Sequence, residues 1–169
     1  FGLGTFYLAS SLDVVVYGDD QTEGLPYGLQ NLSSSMFYGA SSLGASNTQT
    51  PVNTIALPST LKHIGDSAFQ DCTGLVSIDV PDGVLSVGAK AFMGAKALVS
   101  VSLPNSIVSF GSATFMDCAL LTTVDFPDYV KVIPLEMFRG ALELNEIAIP
   151  DAVTEIQEDA FNGCIRLTR

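Results

Sequence analysis

Between Pro58 and Leu167 the chain repeats one phrase five times at an interval of 23 residues. Pro58, Pro81, Pro104, Pro127 and Pro150 keep that interval, and so do Phe69, Phe92, Phe115, Phe138 and Phe161. A fixed period of this length means a supersecondary unit that cannot bury its apolar face alone and stacks on copies of itself. Two earlier units carry the same phrase: Phe6-Tyr-Leu-Ala9-Ser-Ser-Leu12 and Phe37-Tyr-Gly-Ala40-Ser-Ser-Leu43 match Phe69-Gln-Asp-Cys72-Thr-Gly-Leu75. The expectation is one solenoid over residues 1–169, of about seven units with the outer two incomplete. Extra residues near 18–24 and 44–53 should leave it as edge loops.

Each unit holds an alternating apolar segment that ends in proline: Ile55-Ala-Leu-Pro58, Ile78-Asp-Val-Pro81, Val101-Ser-Leu-Pro104, Val124-Asp-Phe-Pro127 and Ile147-Ala-Ile-Pro150. Period two predicts a strand, and a strand that returns after a connection of constant length lies parallel to its predecessor. Proline closes it because it has no N–H for the ladder and presets φ for the turn, helped by Asp82, Asn105, Asp128 or Asp151. An apolar pair follows, Leu61 and Ile64 in one unit and Val84 and Val87 in the next, and should line the back of the core. The next position holds Gly65, Gly88 and Gly111 but then Pro134 and Gln157, a turn with no strict glycine requirement. Two residues past the Phe stand Gly39, Asp71, Gly94, Asp117, Gly140 or Gly163, types that tolerate left-handed backbone. They predict a single helical turn over the Ala-Phe segment with a C-terminal stop. The Phe rings should stack as a spine.

The pattern Leu-x-x-Ile-x-Leu-Pro-x-x-Leu-x-x-Ile-Gly-x-x-Ala-Phe-x-x-Cys, in register from Pro58 to Leu167 and more loosely from Phe6 to Leu43, resembles the BspA-like leucine-rich repeat. The resemblance implies a mostly β, right-handed leucine-rich-repeat coil with a parallel sheet on its concave side and short helical turns or irregular backbone behind. Proteins with such repeats are mostly cell-surface or secreted, often adhesins that bind host matrix proteins, and the family offers no catalytic residues to transfer. It implies a non-catalytic protein-interaction module from a cell-surface or secreted adhesin, extracellular in location. The alternative is a structural subunit held within a larger multi-protein assembly, for which an intracellular location stays open.

Charge narrows the partners. Eighteen acids oppose seven bases, a net charge of −11, and between Glu136 and Asp159 seven carboxylates face only Arg139. Nucleic acid and anionic membranes are disfavoured, because both are bound through clustered Lys and Arg. The apolar runs are too short for a transmembrane helix, and Phe1-Gly-Leu-Gly4 lacks the features of a signal peptide. The expected partner is a protein, either a matrix protein or a neighbouring subunit, and no cofactor is called for. Both chain ends are incomplete units without a polar cap, so further repeats or another chain should cover them.

Residues with reactive side chains carry little. Cys72, Cys118 and Cys164 share one position in alternate units, so about 10 Å separates them at ~4.8 Å per strand, beyond the ~7 Å reach of a disulfide. They are read as buried, reduced small residues. His63 takes a position held elsewhere by Ser86, Ser109, Val132 and Glu155, an exposed loop site with no assembled nucleophile. Asn31-Leu-Ser33 matches a glycosylation sequon in the same loop position. Zinc lacks ligands at metal spacing, and Asp19, Asp20 and Glu23 lack the alternating pattern of a calcium loop, so 18–24 reads as solvated loop.

The outward residues of the proline-terminated strands form two columns. Thr54, Ser77, Ser100, Thr123 and Glu146 make one; Ala56, Asp79, Ser102, Asp125 and Ala148 make the other. Thr54, Ser77, Asp79, Ser100, Ser102, Thr123, Asp125 and Glu146 are therefore the candidate binding strip. It is small, polar and acidic, and lacks the Trp, Tyr and Arg that dominate binding hot spots, although Val14 and Val16 would be exposed in the same register.

Overall fold

The computed structural model describes residues 16–17, 22–23, 25, 28–43 and 55–168. In chain order the described strands are β1 Val16–Tyr17, β2 Thr22–Glu23, β3 Asn31–Leu32, β4 His63–Ile64, β5 Ser77–Asp79, β6 Ser86–Val87, β7 Ser100–Ser102, β8 Ser109–Phe110, β9 Thr123–Val124, β10 Val132–Ile133, β11 Glu146–Ile147 and β12 Glu155–Ile156. None of the described residues is helical. The Phe6 unit lies outside them, as does most of 18–24 and 44–53. Thr22–Glu23 is not loop: β2 pairs antiparallel with β1, Val16 opposite Glu23 and Tyr17 opposite Thr22.

The repeating part is a β-solenoid with three ladders along its length, although Ile55-Ala-Leu57, read as the first of the proline-terminated strands, is not a strand. The first is the parallel sheet β5-β7-β9-β11, built from the proline-terminated segments, with Ser77 opposite Ser100, Ser100 opposite Thr123 and Thr123 opposite Glu146. Its inward residues Ile78, Val101, Val124 and Ile147 are buried and its outward neighbours Asp79, Ser100, Ser102 and Thr123 are exposed, as the period of two requires.

The second ladder is a further parallel sheet, β3-β4-β6-β8, followed by a separate pair, β10-β12. The apolar residues read as the back of the core, Ile64, Val87 and Ile133, are the inward residues of these strands. Gly88 N–H donates to the Ile64 carbonyl, Gly111 to Val87 and Gln157 to Ile133, at 2.8, 2.8 and 2.9 Å. The member of this series that would join β10 to β8 belongs to Pro134, which has no N–H, and there the sheet divides.

Glycine at this position is required after all in the earlier coils. None of the three has positive φ, as the sequence suggested, but a Cβ on Gly65 would lie 2.5 Å from the Leu32 carbonyl oxygen and one on Gly88 2.7 Å from the Gly65 carbonyl carbon. Close approach of successive backbones, not dihedral freedom, excludes a side chain.

The third ladder replaces the expected helical turn. In each coil the N–H groups two before the Phe, of the Phe itself, and two after it cross to carbonyls of the next coil: Ser67 to Ala89 at 2.8 Å, Phe69 to Ala91 at 2.7 Å and Asp71 to Met93 at 2.8 Å. The intervening N–H groups close local turns, Gln70 to Ser67 at 3.1 Å and Cys72 to Phe69 at 3.2 Å. Left-handed residues bracket the Phe and set up this alternation. The later one, Asp71, Gly94, Asp117, Gly140 or Gly163, is the stop read from the sequence; the earlier one, Ser67, Lys90, Ala113, Glu136 or Asp159, has φ of 55–57° without being glycine. Such backbone is disfavoured for a residue with a Cβ, and the cross-coil hydrogen bonds, worth about 1 kcal/mol each, offset the strain.

Inside the three ladders the Phe rings stack. Centroid separations from Phe37 through Phe69, Phe92, Phe115 and Phe138 to Phe161 are 5.2, 5.3, 5.4, 5.6 and 5.5 Å, with planes within 11° of parallel. All but Phe161 are fully buried, and each buried ring contributes about 1.5–3 kcal/mol. Beside the spine two columns alternate by size, one of them only as far as Gly140, which Gly163 follows. Asp71 carboxylate occupies the space a side chain on Gly94 would need, and Asp117 does the same to Gly140. Cys72, Cys118 and Cys164 likewise alternate with Ala40, Ala95 and Ala141. Large facing small lets successive coils interdigitate.

Candidate binding surfaces on the two sheets

No side chain of the first sheet's outer face can shift along the solenoid without breaking the ladder, so Ser77, Ser100, Thr123 and Glu146 stand in one line and Asp79, Ser102 and Asp125 in the next. All are exposed or half-exposed. Thr54 lies outside the described residues. A shallow depression of about 240 Å³ runs between Asp79, Ser100, Ser102, Thr123 and Asp125. The strip has three carboxylates, Asp79, Asp125 and Glu146, and no base; it can offer hydroxyl and carboxylate acceptors but no aromatic anchor.

The outer face of the second sheet has a different chemistry. His63 and Asn31 are strand residues, in β4 and β3, not loop residues. Both are exposed, as expected, because the two-residue strands alternate one side chain out and one in. His63 Nδ1 lies 2.8 Å from Ser86 Oγ in the next coil. No carboxylate among the described residues holds its other ring nitrogen, so the pair lacks the third group that orients a catalytic base.

At the division between β8 and β10 lies a groove of about 580 Å³, lined by Val108, Ser109 and Phe110 on one side and Tyr129, Lys131 and Val132 on the other. Val108 is 55% exposed and Tyr129 66%. Phe110 stands where other coils have Ile64, Val87, Ile133 or Ile156; its larger ring leans on Phe115 and Phe126, at 6.3 and 5.4 Å between centroids. The sequence held the signal for this groove in three departures from the repeat: Phe110, Pro134, and Tyr129 in a column otherwise of Thr60, Gly83, Ser106 and Ala152.

The cysteines are free, with Cys72 and Cys118 buried and Cys164 half-buried. Each thiol donates to the carbonyl of the preceding coil's Phe, Cys72 to Phe37, Cys118 to Phe92 and Cys164 to Phe138, all at 3.1 Å. Desolvation raises all three pKa values, partly opposed by the nearby N–H of Ala40, Ala95 or Ala141; Cys72 is pushed up to about 12. A thiol held protonated is neither nucleophile nor metal ligand. Among the described residues no group of three His, Cys, Asp or Glu could hold a metal ion, and no helix is long and apolar enough to cross a membrane.

A family model for the BspA type leucine-rich repeat region matches residues 46–168 in six copies. The chain belongs to that family. Its BspA-type solenoid is similar to the crystal structure of a T. pallidum leucine-rich repeat protein, at 31% identity and a TM-score of 0.86 over 99% of this chain and 71% of that one. It also resembles a leucine-rich repeat protein from Bacteroides ovatus, at 26% identity and a TM-score of 0.61 over 92% of this chain and 43% of that one. A leucine rich cell surface protein from Faecalibacterium prausnitzii shares the fold, at 24% identity and a TM-score of 0.54 over 85% of this chain and 51% of that one. The chain thus spans about half or less of the last two. Among curated proteins no sequence matches this one. BspA-type repeats of this kind form protein-interaction modules and are typically non-enzymatic.

Proposed function

We propose that this solenoid is a non-catalytic protein-binding module of a cell-surface or secreted adhesin, and that the strip Ser77, Asp79, Ser100, Ser102, Thr123, Asp125 and Glu146 contributes contacts to a host matrix protein. The observation that carries the reading is the register of the first sheet, which holds an exposed row of hydrogen-bonding side chains on a rigid backbone. Rigid presentation lowers the ordering cost of binding. The test is adhesion of beads coated with the 169-residue chain to immobilised matrix proteins, with serum albumin as the reference surface. Selective adhesion is expected, and the combined Asp79→Asn, Asp125→Asn, Glu146→Gln variant should reduce it about tenfold. Adhesion no better than to albumin would reject the adhesin reading.

The small side chains of that strip favour a second reading, a structural subunit whose face packs flat on a neighbour. Fixed partners that co-purify with the chain in constant ratio would decide for it.

A further inference from the structure

The groove between β8 and β10 combines three features that no other part of the described surface brings together. Its walls are apolar, from Val108, Phe110, Tyr129 and Val132. Its one charged side chain is Lys131, exposed and without an ion pair among the described residues, in a chain whose acids outnumber its bases by eighteen to seven. And it lies where Pro134 withholds the N–H that would have met the Phe110 carbonyl, so this carbonyl lacks the rung that Ile64, Val87 and Ile133 receive from Gly88, Gly111 and Gln157. Apolar wall, unpaired cation and spare backbone acceptor are the complement of a short peptide.

We propose that this groove docks a partner protein through an exposed apolar side chain followed in sequence by a carboxylate: the side chain lies against Val108, Phe110 and Tyr129, the carboxylate pairs with Lys131, and a backbone N–H of the partner reaches the Phe110 carbonyl. The proposal rests on the reading of the chain as a protein-interaction module but places the contact on the second sheet, away from the acidic strip. Charge selects the occupant. The first sheet, with Asp79, Asp125 and Glu146 and no base, repels a carboxylate, whereas Lys131 attracts one. The need for a peptide N–H separates this occupant from a simple aliphatic acid, which could satisfy the wall and the cation but not the carbonyl.

The experiment uses the 169-residue chain labelled with nitrogen-15 and the probe peptide acetyl-Gly-Leu-Phe-Asp-Gly-amide. Titration to about 5 mM, suited to a weak single-loop contact, should give saturable amide shifts centred on Val108, Phe110, Lys131 and Val132. Lys131→Gln in the protein, or Asn for Asp in the peptide, should each weaken binding about three- to tenfold, and the two changes together should weaken it no further than either alone, since both remove one ion pair. Tyr129→Ser should weaken it independently of the charge. Because Lys131 and Tyr129 are exposed, their variants should keep the wild-type amide spectrum elsewhere.

Absence of saturable shifts would overturn the proposal, as would equal binding of the Asp and Asn peptides. Octanoate binding as tightly as the peptide would overturn the assignment to a protein partner. Shifts confined to Ser77–Asp79 and Ser100–Ser102 would also overturn it while leaving the protein-binding reading intact. Failure of that broader reading would appear separately, in the adhesion assay.

Discussion

Phe115 lies mid-spine, with Phe92 and Phe138 stacked on its two faces at 5.4 and 5.6 Å. Phe115→Ala therefore opens a cavity that neither neighbour can fill, at a cost of about 3–5 kcal/mol. Ser102→Ala, on the solvent side of β7, should stay within about 0.5 kcal/mol of the parent. Urea melts of the two variants check this, and coincident midpoints would put Phe115 outside the core. The thiols make a second prediction at this scale. Native Cys72 and Cys118 should resist a thiol reagent that labels all three cysteines after denaturation. Their raised pKa values also set a pH dependence: above ~8.5 the unfolded thiols ionise while the folded ones keep their protons, so stability falls as pH rises toward the folded value of about 12 at Cys72. Comparing urea midpoints at about pH 7.5 and about pH 10, the Cys72→Ala, Cys118→Ala variant should lose less stability than the parent. An identical loss would mean the thiols titrate normally. The spacing of the cysteines made their separation legible in the sequence; their bonds to Phe carbonyls of the preceding coil were not, because they depend on which side chain a coil lays over its neighbour.

The length of the alternating segment in the sequence explains why one sheet was legible and the other was not. The first sheet announces itself by alternation ending in proline. In the second, each strand offers one outward and one inward residue, as in His63–Ile64, too short to show a period. The left-handed residues before each Phe were hidden for another reason: Ser67, Lys90, Ala113, Glu136 and Asp159 share no chemistry, since the ladder imposes their backbone rather than their own preference. Glycine at the end of the second-sheet strands gives the prediction for this scale. Gly88→Ala drives a Cβ into the Asp66 and Gly65 backbone and should cost about 1–3 kcal/mol, whereas Gln157→Ala, where the coil already accommodates a Cβ, should cost less than about 1 kcal/mol. Denaturant midpoints would tell, and equal costs would show that the coils do not approach as closely at Gly88. Pro134→Gln supplies the missing donor, so hydrogen exchange should find the new amide protected if β8 and β10 close on each other, as Gln157 closes on Ile133.

Across the whole molecule, stability is close to a sum over coils and the interfaces between them. The position of a lesion in the stack should then matter more than its chemistry. Phe161, half-buried with a single spine partner at 5.5 Å, should cost about 1–2 kcal/mol on replacement by Ala, well below Phe115→Ala for the same deletion; similar losses at the two sites would argue against a stacked array. The period of 23, the prolines and the Phe column determined the solenoid, the parallel first sheet, the spine and the alignment of its outward columns without reference to any coordinate, because a repeat forces each of its residues to meet its own counterpart one coil away. Tertiary structure alone decided where the repeat opens. Phe110, Tyr129 and Pro134 are visible as departures in three separate coil positions, but a groove forms only because stacking brings adjacent coils together and one rung between them has no donor. That is a relation between neighbours in space, which no single coil encodes.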